Sequence, residues 1–199
     1  MVPRRALALL AFAPLPAGAQ EAGHRFAVLR NGEPIGTHTV TFEQRDGERV
    51  AISEFLVLPK VMGVVVYRYE HRYAEATREG RFLRVASRLN RQGRIVEVRA
   101  EAAADGVTVQ GPDGTLRLPR DAAPLSWWEP QRFGRVPLFG TTTGQPMRVA
   151  FERTPLPASG GRVLVRGELE VELRYDGAGR WAGFATKGED GSDILYAPA

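Results

Sequence analysis

Cysteine is absent from all 199 residues, which excludes disulfides, thiol nucleophiles and thiolate metal sites. Lysine occurs only at Lys60 and Lys187, and histidine at three positions, so imidazole chemistry has few places to reside. No apolar run is long enough to span a bilayer as a helix; the longest near the start is Ala6 to Pro14. The common catalytic signatures are missing too. Ser53, Ser87, Ser126, Ser159 and Ser192 lie in no Gly-x-Ser-x-Gly or Ser-x-x-Lys setting, and there is no His-Glu-x-x-His. Gly177-Ala-Gly179-Arg-Trp-Ala-Gly183 misses dinucleotide spacing by one residue, and Gly140-Thr-Thr-Thr-Gly144 has no lysine to meet a phosphate. Glu189, Asp190 and Asp193 read as a solvated turn before they read as a calcium loop.

What is present begins with a leader. Arg4 and Arg5, the apolar stretch after them and Ala17-Gly18-Ala19 have the order of an export signal, placing the boundary at residue 19 and a single mature domain over 20–199. Setting Arg4 and Arg5 aside leaves 25 basic residues against 23 acidic ones, a near balance that gives no footprint for nucleic acid. The expected location is periplasmic or secreted, with no stable membrane span after the signal is removed.

Turn dipeptides recur along the mature chain: Asn31-Gly32, Asp46-Gly47, Glu79-Gly80, Gln92-Gly93, Asp105-Gly106, Asp113-Gly114, Asp176-Gly177 and Asp190-Gly191. Glycine in the second place supplies the positive φ of a hairpin turn. Between them run alternating apolar and polar residues, so the fold class is mainly β, a meander of roughly ten or more antiparallel strands. That many strands predicts a strongly curved sheet or half-barrel. Val61 to Glu75 reads as one long strand with Tyr67, Tyr69, His71 and Tyr73 on its inner face, and Arg162 to Tyr175 as another.

Register follows from matching faces across each turn. A two-residue loop at Gln92-Gly93 sets Leu89 against Val96 and Val85 against Ala100, with Arg88 beside Glu97 outside. Three-residue loops at Arg78-Glu79-Gly80 and Arg45-Asp46-Gly47 give Tyr73 opposite Val85, Phe42 opposite Val50, and His38 opposite Glu54 on the inner face. Pro119 to Pro146, with five prolines and the bulky Trp127, Trp128, Phe133 and Phe139, cannot be strand for most of its length. It reads as a plug, with a turn or two of helix capped at Ser126-Trp-Trp-Glu129.

At Asn31-Gly-Glu-Pro-Ile-Gly36, Tyr67-Arg-Tyr-Glu-His71, Ser126-Trp-Trp128, Thr141-Thr-Thr-Gly144 and the Asp-Gly turns near Tyr175 and Tyr196, the chain resembles an uncharacterised family of exported proteobacterial proteins, a domain of unknown function. In architecture it is similar, more distantly, to the half-barrels of periplasmic lipoprotein carriers.

Those readings define the expected site as His38, Glu54, Tyr67, Tyr69, His71, Trp127 and Trp128. The expected function is non-enzymatic binding of a hydrophobic or amphipathic, lipid-like molecule or an envelope protein on the inner face of the curved sheet. One alternative is a hydrolase or metal-dependent enzyme using His38, Glu54 and His71, since two imidazoles and a carboxylate suit zinc. Another is a small outer-membrane β-barrel. No cofactor, metal ligand or catalytic residue is assigned.

Overall fold

The computed structural model describes residues 21–156 and 160–199; the predicted export signal lies outside them. The first half of the chain forms β1 (His24–Arg30), β2 (Glu33–Arg45), β3 (Glu48–Val57), β4 (Lys60–Val61), β5 (Val64–Val65), β6 (Tyr69–Arg78), β7 (Arg81–Arg91), β8 (Arg94–Ala103), β9 (Gly106–Gly111) and β10 (Gly114–Leu118). A segment with little regular structure follows, holding β11 (Ala123–Pro124), a single 3-10 turn at Pro130–Arg132, and β12 (Leu138–Phe139). The chain ends in β13 (Val149–Leu156), β14 (Gly160–Gly167), β15 (Val171–Tyr175), β16 (Trp181–Lys187) and β17 (Asp193–Pro198).

Thirteen of these strands form one antiparallel sheet in the order β10-β9-β8-β7-β6-β3-β2-β1-β17-β16-β15-β14-β13. Two meanders therefore meet where β1 pairs with β17. The end strands β10 and β13 do not pair with each other, so the sheet is open, with two edges. The expected strongly curved sheet or half-barrel is not what the chain forms: the sheet is neither closed nor strongly curled. Strand count was the basis for that expectation, and it fails because the apolar face is buried in another way. The Pro-rich segment joins one edge strand, β10, to the other, β13, and lies over that face. Phe139 packs on Phe82 of β7, Trp128 on Tyr73 of β6 and on Trp181 of β16, and Phe133 stacks on Phe151 of β13.

Turn chemistry sets the registers. Asn31, Asp46, Glu79 and Gln92 all have φ between 50° and 54°, and each following glycine is positive as well, giving two-residue hairpins whose twist matches that of the strands. At Gln92-Gly93 the expected pairs hold, Leu89 with Val96 and Val85 with Ala100. At Asp46-Gly47 the loop is one residue shorter than expected. Phe42 now faces Ala51, Val40 faces Ser53 and His38 faces Phe55, which moves Glu54 to the outer face beside Arg72. At Glu79-Gly80 the loop is also two residues, and a bulge between Ala76 and Thr77 absorbs the difference. Tyr73 consequently meets Ser87 and His71 meets Leu89, two places from the expected register but on the same face.

Two expected long strands are broken. Met62-Gly63 turns the chain inside Val61 to Glu75, making a small hairpin of β4 and β5 before β6 starts at Tyr69. Gly167, at φ 118°, divides Arg162 to Tyr175 into β14 and β15, while Val163, Val165, Val171, Leu173 and Tyr175 stay buried as the alternation required. Gly36 marks a close approach: a Cβ there would lie 2.0 Å from the Leu56 carbonyl oxygen, so no other residue fits without moving β3.

Phe139 has no exposed surface and sits where the plug meets β7. Phe139→Ala is expected to cost about 3–5 kcal/mol in urea unfolding. Val64→Ala, on the exposed hairpin, is expected to stay within about 0.5 kcal/mol of the parent.

Candidate functional site

The inner face carries a continuous aromatic row. Tyr69 packs on Phe55, Phe55 on His38, His38 on Trp181, Trp181 on Trp128, Trp128 on Tyr73 and Tyr73 on His71, with ring centroids between 5.1 and 6.5 Å apart. His38, Tyr69, His71 and Trp128 are thus brought to one face as the period-two pattern implied. Tyr67 precedes β6 and is half-buried beside Arg91, so it does not join the row. Trp127 points to the other wing of the sheet, against Phe184, and its carbonyl accepts a hydrogen bond of 2.8 Å from the Tyr175 hydroxyl.

The triad of His38, Glu54 and His71 does not exist. Glu54 lies on the opposite face, and Phe55 of β3 stands between the imidazoles. That puts them two strands apart, roughly 10 Å. Each histidine instead meets a serine on a neighbouring strand, His38 Nε2 with Ser53 Oγ at 2.9 Å and His71 Nε2 with Ser87 Oγ at 2.8 Å. Among the described residues no group of three or more His, Asp or Glu is placed to hold a metal. Loss from water pushes His38 down to about 3 and His71 down to about 4, so both are neutral at ordinary pH.

A second polar centre lies where the plug crosses β6. Glu75 follows Tyr73 in the inward row and is 1 % exposed. Ser126 Oγ donates to its Oε2 at 2.6 Å, and Arg132 Nη1 donates to its Oε1. Arg132 is 5 % exposed, and its Nη2 has no hydrogen-bond partner. Burial pushes the Glu75 carboxyl up, the Arg132 guanidinium and the Ser126 hydroxyl oppose this, and the nearby Glu129 carboxylate adds to it. Glu129, 3 % exposed, takes Arg49 of β3 as its partner, and Arg49 lies 4.1 Å over the Phe42 ring and reaches Glu21. The capping box expected at Ser126 is therefore not formed: Glu129 caps the 3-10 turn without a side-chain bond, and Ser126 serves Glu75.

The sequence reading missed this centre. A signal for half of it existed, because the parity that turns Tyr69, His71 and Tyr73 inward also turns Glu75 inward. Its partners could not be found that way, since Ser126, Glu129 and Arg132 come from an aperiodic segment.

The third feature is a patch of exposed apolar surface. Met62 is 99 % exposed at the tip of the β4–β5 hairpin, and Val64, Val65 and Val66 are exposed behind it. The base is tied down by Val66 N to Pro59 O at 3.0 Å, and by Gln92 N to Arg68 O with Arg68 N to Gln92 Oε1.

These features define a mainly β protein built on one large antiparallel sheet whose face is covered by its own crossover segment. The chain belongs to the family described as a domain of unknown function, DUF6134, whose model matches residues 26–199. No curated protein matches it. Its fold is similar to a β-barrel-like protein of domain of unknown function DUF1849 from Brucella abortus, at 9 % identity over 89 % of this chain and 95 % of that one, with a TM-score of 0.58. No helix among the described residues is long and apolar enough to cross a membrane.

The histidines give a pH prediction. Unfolded, each imidazole titrates near its ordinary value of 6.5, well above its folded value. The unfolded chain takes up the proton first, so stability is full above about pH 6.5 and falls as the pH drops toward 4, by on the order of 3 kcal/mol for each histidine. Glu75, with its raised carboxyl, works in the opposite direction. His71→Gln keeps a partner for Ser87 and is expected to flatten the fall of the urea midpoint between pH 6.5 and 4; an unchanged slope would mean that His71 is not held neutral.

Proposed function

We propose that this chain is an exported envelope protein that docks reversibly on an anionic lipid surface through the β4–β5 hairpin. The earlier expectation placed binding on the inner face of a curved sheet; that face is occupied by the plug, and the sheet is not curved in that way. The enzyme reading falls with the loss of Glu54 from the inner face.

The observation that carries the proposal is where the exposed apolar surface lies. Among the described residues, four of the six exposed large hydrophobic ones, Met62, Val64, Val65 and Val66, fall within five positions on one hairpin. A soluble protein scatters such residues; a contiguous group marks a docking surface. Lys60 and Arg68 flank the group, Arg68 being paired with Glu70 at 2.6 Å, and no acidic residue lies between Pro59 and Tyr69. An apolar tip beside Lys60 suits a bilayer of anionic headgroups, where an unneutralised basic residue adds about 1 kcal/mol and the side chains enter the acyl boundary. Burying the four side chains contributes roughly 3–6 kcal/mol, enough for reversible association but not for a permanent anchor. Export is supported by the leader-like order of Arg4-Arg5, the apolar stretch and Ala17-Gly18-Ala19.

Co-sedimentation with vesicles is the test. Binding is expected to vesicles with a third anionic phospholipid, to weaken with salt and on zwitterionic vesicles, and to drop at least tenfold in Met62→Asp and in Val65→Asp, with urea stability unchanged. Equal sedimentation of the parent and both variants would refute the lipid reading. Capture of a protein by the hairpin with no vesicle binding would refute it equally.

A further inference from the structure

The end of the sheet that carries the β4–β5 hairpin also carries the β7–β8 turn at Gln92-Gly93, and the two are hydrogen-bonded. Gln92 N donates to Arg68 O at 3.0 Å, and Arg68 N donates to Gln92 Oε1 at 2.9 Å. Arg91, the last residue of β7, lies against Tyr67 on the same limb of the hairpin. The hairpin itself has only two ladder pairs, Lys60 with Val65 and Val61 with Val64. So short a ladder does not stand alone in water, and the tie to Gln92 holds it beside the turn.

The turn shares the chemistry of the hairpin. Ile95 is 42 % exposed, so among the described residues five of the six exposed large hydrophobic ones belong to these two neighbouring elements. No acid occurs from Asn90 to Val96. Arg91 and Arg94 stand directly opposite one another across the ladder, where like charges repel, although Arg84 and Arg88 of the same strand each meet a glutamate, Glu101 and Glu97. A second like pair, Arg78 with Arg81 at the far end of β7, is offset by Glu48, 3.2 Å from Arg78. Arg91 has Glu189 at 3.5 Å, whereas Arg94 is exposed and, among the described residues, has no carboxylate within 4.0 Å.

We infer that the β7–β8 turn is the second half of the docking surface, with Arg94 on an anionic headgroup and Ile95 beside it, an inference that rests on the lipid reading of the hairpin. Val64 is four residues from Arg68, at most about 14 Å along an extended chain. Interfacial segments sink about 5–10 Å into the boundary between headgroups and acyl chains, so a bilayer that takes up the hairpin tip meets the turn at headgroup depth. Arg94 supplies the unneutralised charge that Arg68, paired with Glu70, does not. Two separate contacts also fix the orientation of the sheet on the bilayer.

Co-sedimentation with vesicles that are one-third anionic phospholipid tests this. Arg94→Gln is expected to lose about fivefold in binding and to flatten its salt dependence. Ile95→Asp is expected to lose at least tenfold, while Arg99→Gln, at an exposed position further along β8, stays within twofold of the parent; all three keep the parent's urea midpoint. Because the chain has no cysteine, Ile95→Cys and Arg99→Cys can each carry a single environment-sensitive dye, and a blue shift on the vesicles is expected at the first and not at the second. Vesicle binding that Met62→Asp abolishes but Arg94→Gln and Ile95→Asp leave unchanged, with no dye shift at residue 95, would overturn this inference and leave the lipid reading standing. Equal losses in Arg94→Gln and Arg99→Gln would mean that only net charge matters and would overturn it as well. No vesicle binding by the parent would overturn both.

Discussion

The bond between Glu75 and Arg132 is the constraint from which the rest of the architecture follows. An open thirteen-stranded sheet exposes an apolar face that must be covered, and the chain covers it with a segment too rich in proline to join the ladder. Apolar contacts such as Phe139 on Phe82 supply most of the burial, yet they are non-directional and would tolerate sliding. The charge pair does not tolerate it. A carboxylate on β6 and a guanidinium after the 3-10 turn, both nearly without solvent, pay their desolvation only when they meet. Ser126 and the second pair, Glu129 with Arg49, fix the same stretch at two more points.

Seen from β6, the molecule has two ends with different chemistry. The strand leaves the apolar hairpin at Tyr69 and reaches the Glu79-Gly80 turn after ten residues, roughly 33 Å away. At the first end are exposed valines and Met62; at the other is a cleft lined by Arg81, Arg120 and Arg132. Between them lies a packed slab of aromatic rings in which both histidines are neutral and matched to serines, so the middle of the face is structural.

Much of the fold could be read in the sequence because it depends on two local rules, side-chain alternation and turn glycine. These located the strands, the buried faces of β6, β7, β14 and β15, and the register at Gln92-Gly93. They failed at Asp46-Gly47 for a definite reason. Val50 and Ile52 on one face of β3 compete with Ala51, Ser53, Phe55 and Val57 on the other, and alternation alone does not choose between them. The positive φ of both Asp46 and Gly47 chose, and a slip of one residue carried Glu54 out of the supposed site. Closure could not be read at all, because strand number does not say whether the last edge finds the first. The buried ionic centre was half-legible, through the parity of Glu75, and the other half depended on a segment whose path only the three-dimensional structure defines.

A double-mutant cycle in urea on Glu75→Gln and Arg132→Met measures the central claim most directly. If the pair fixes the plug on the sheet, each single change destabilises, the double change costs clearly less than the two together, and the coupling is about 2–3 kcal/mol. Additive single effects, with no coupling between the two positions, would show that apolar packing alone holds the plug and would contradict the account.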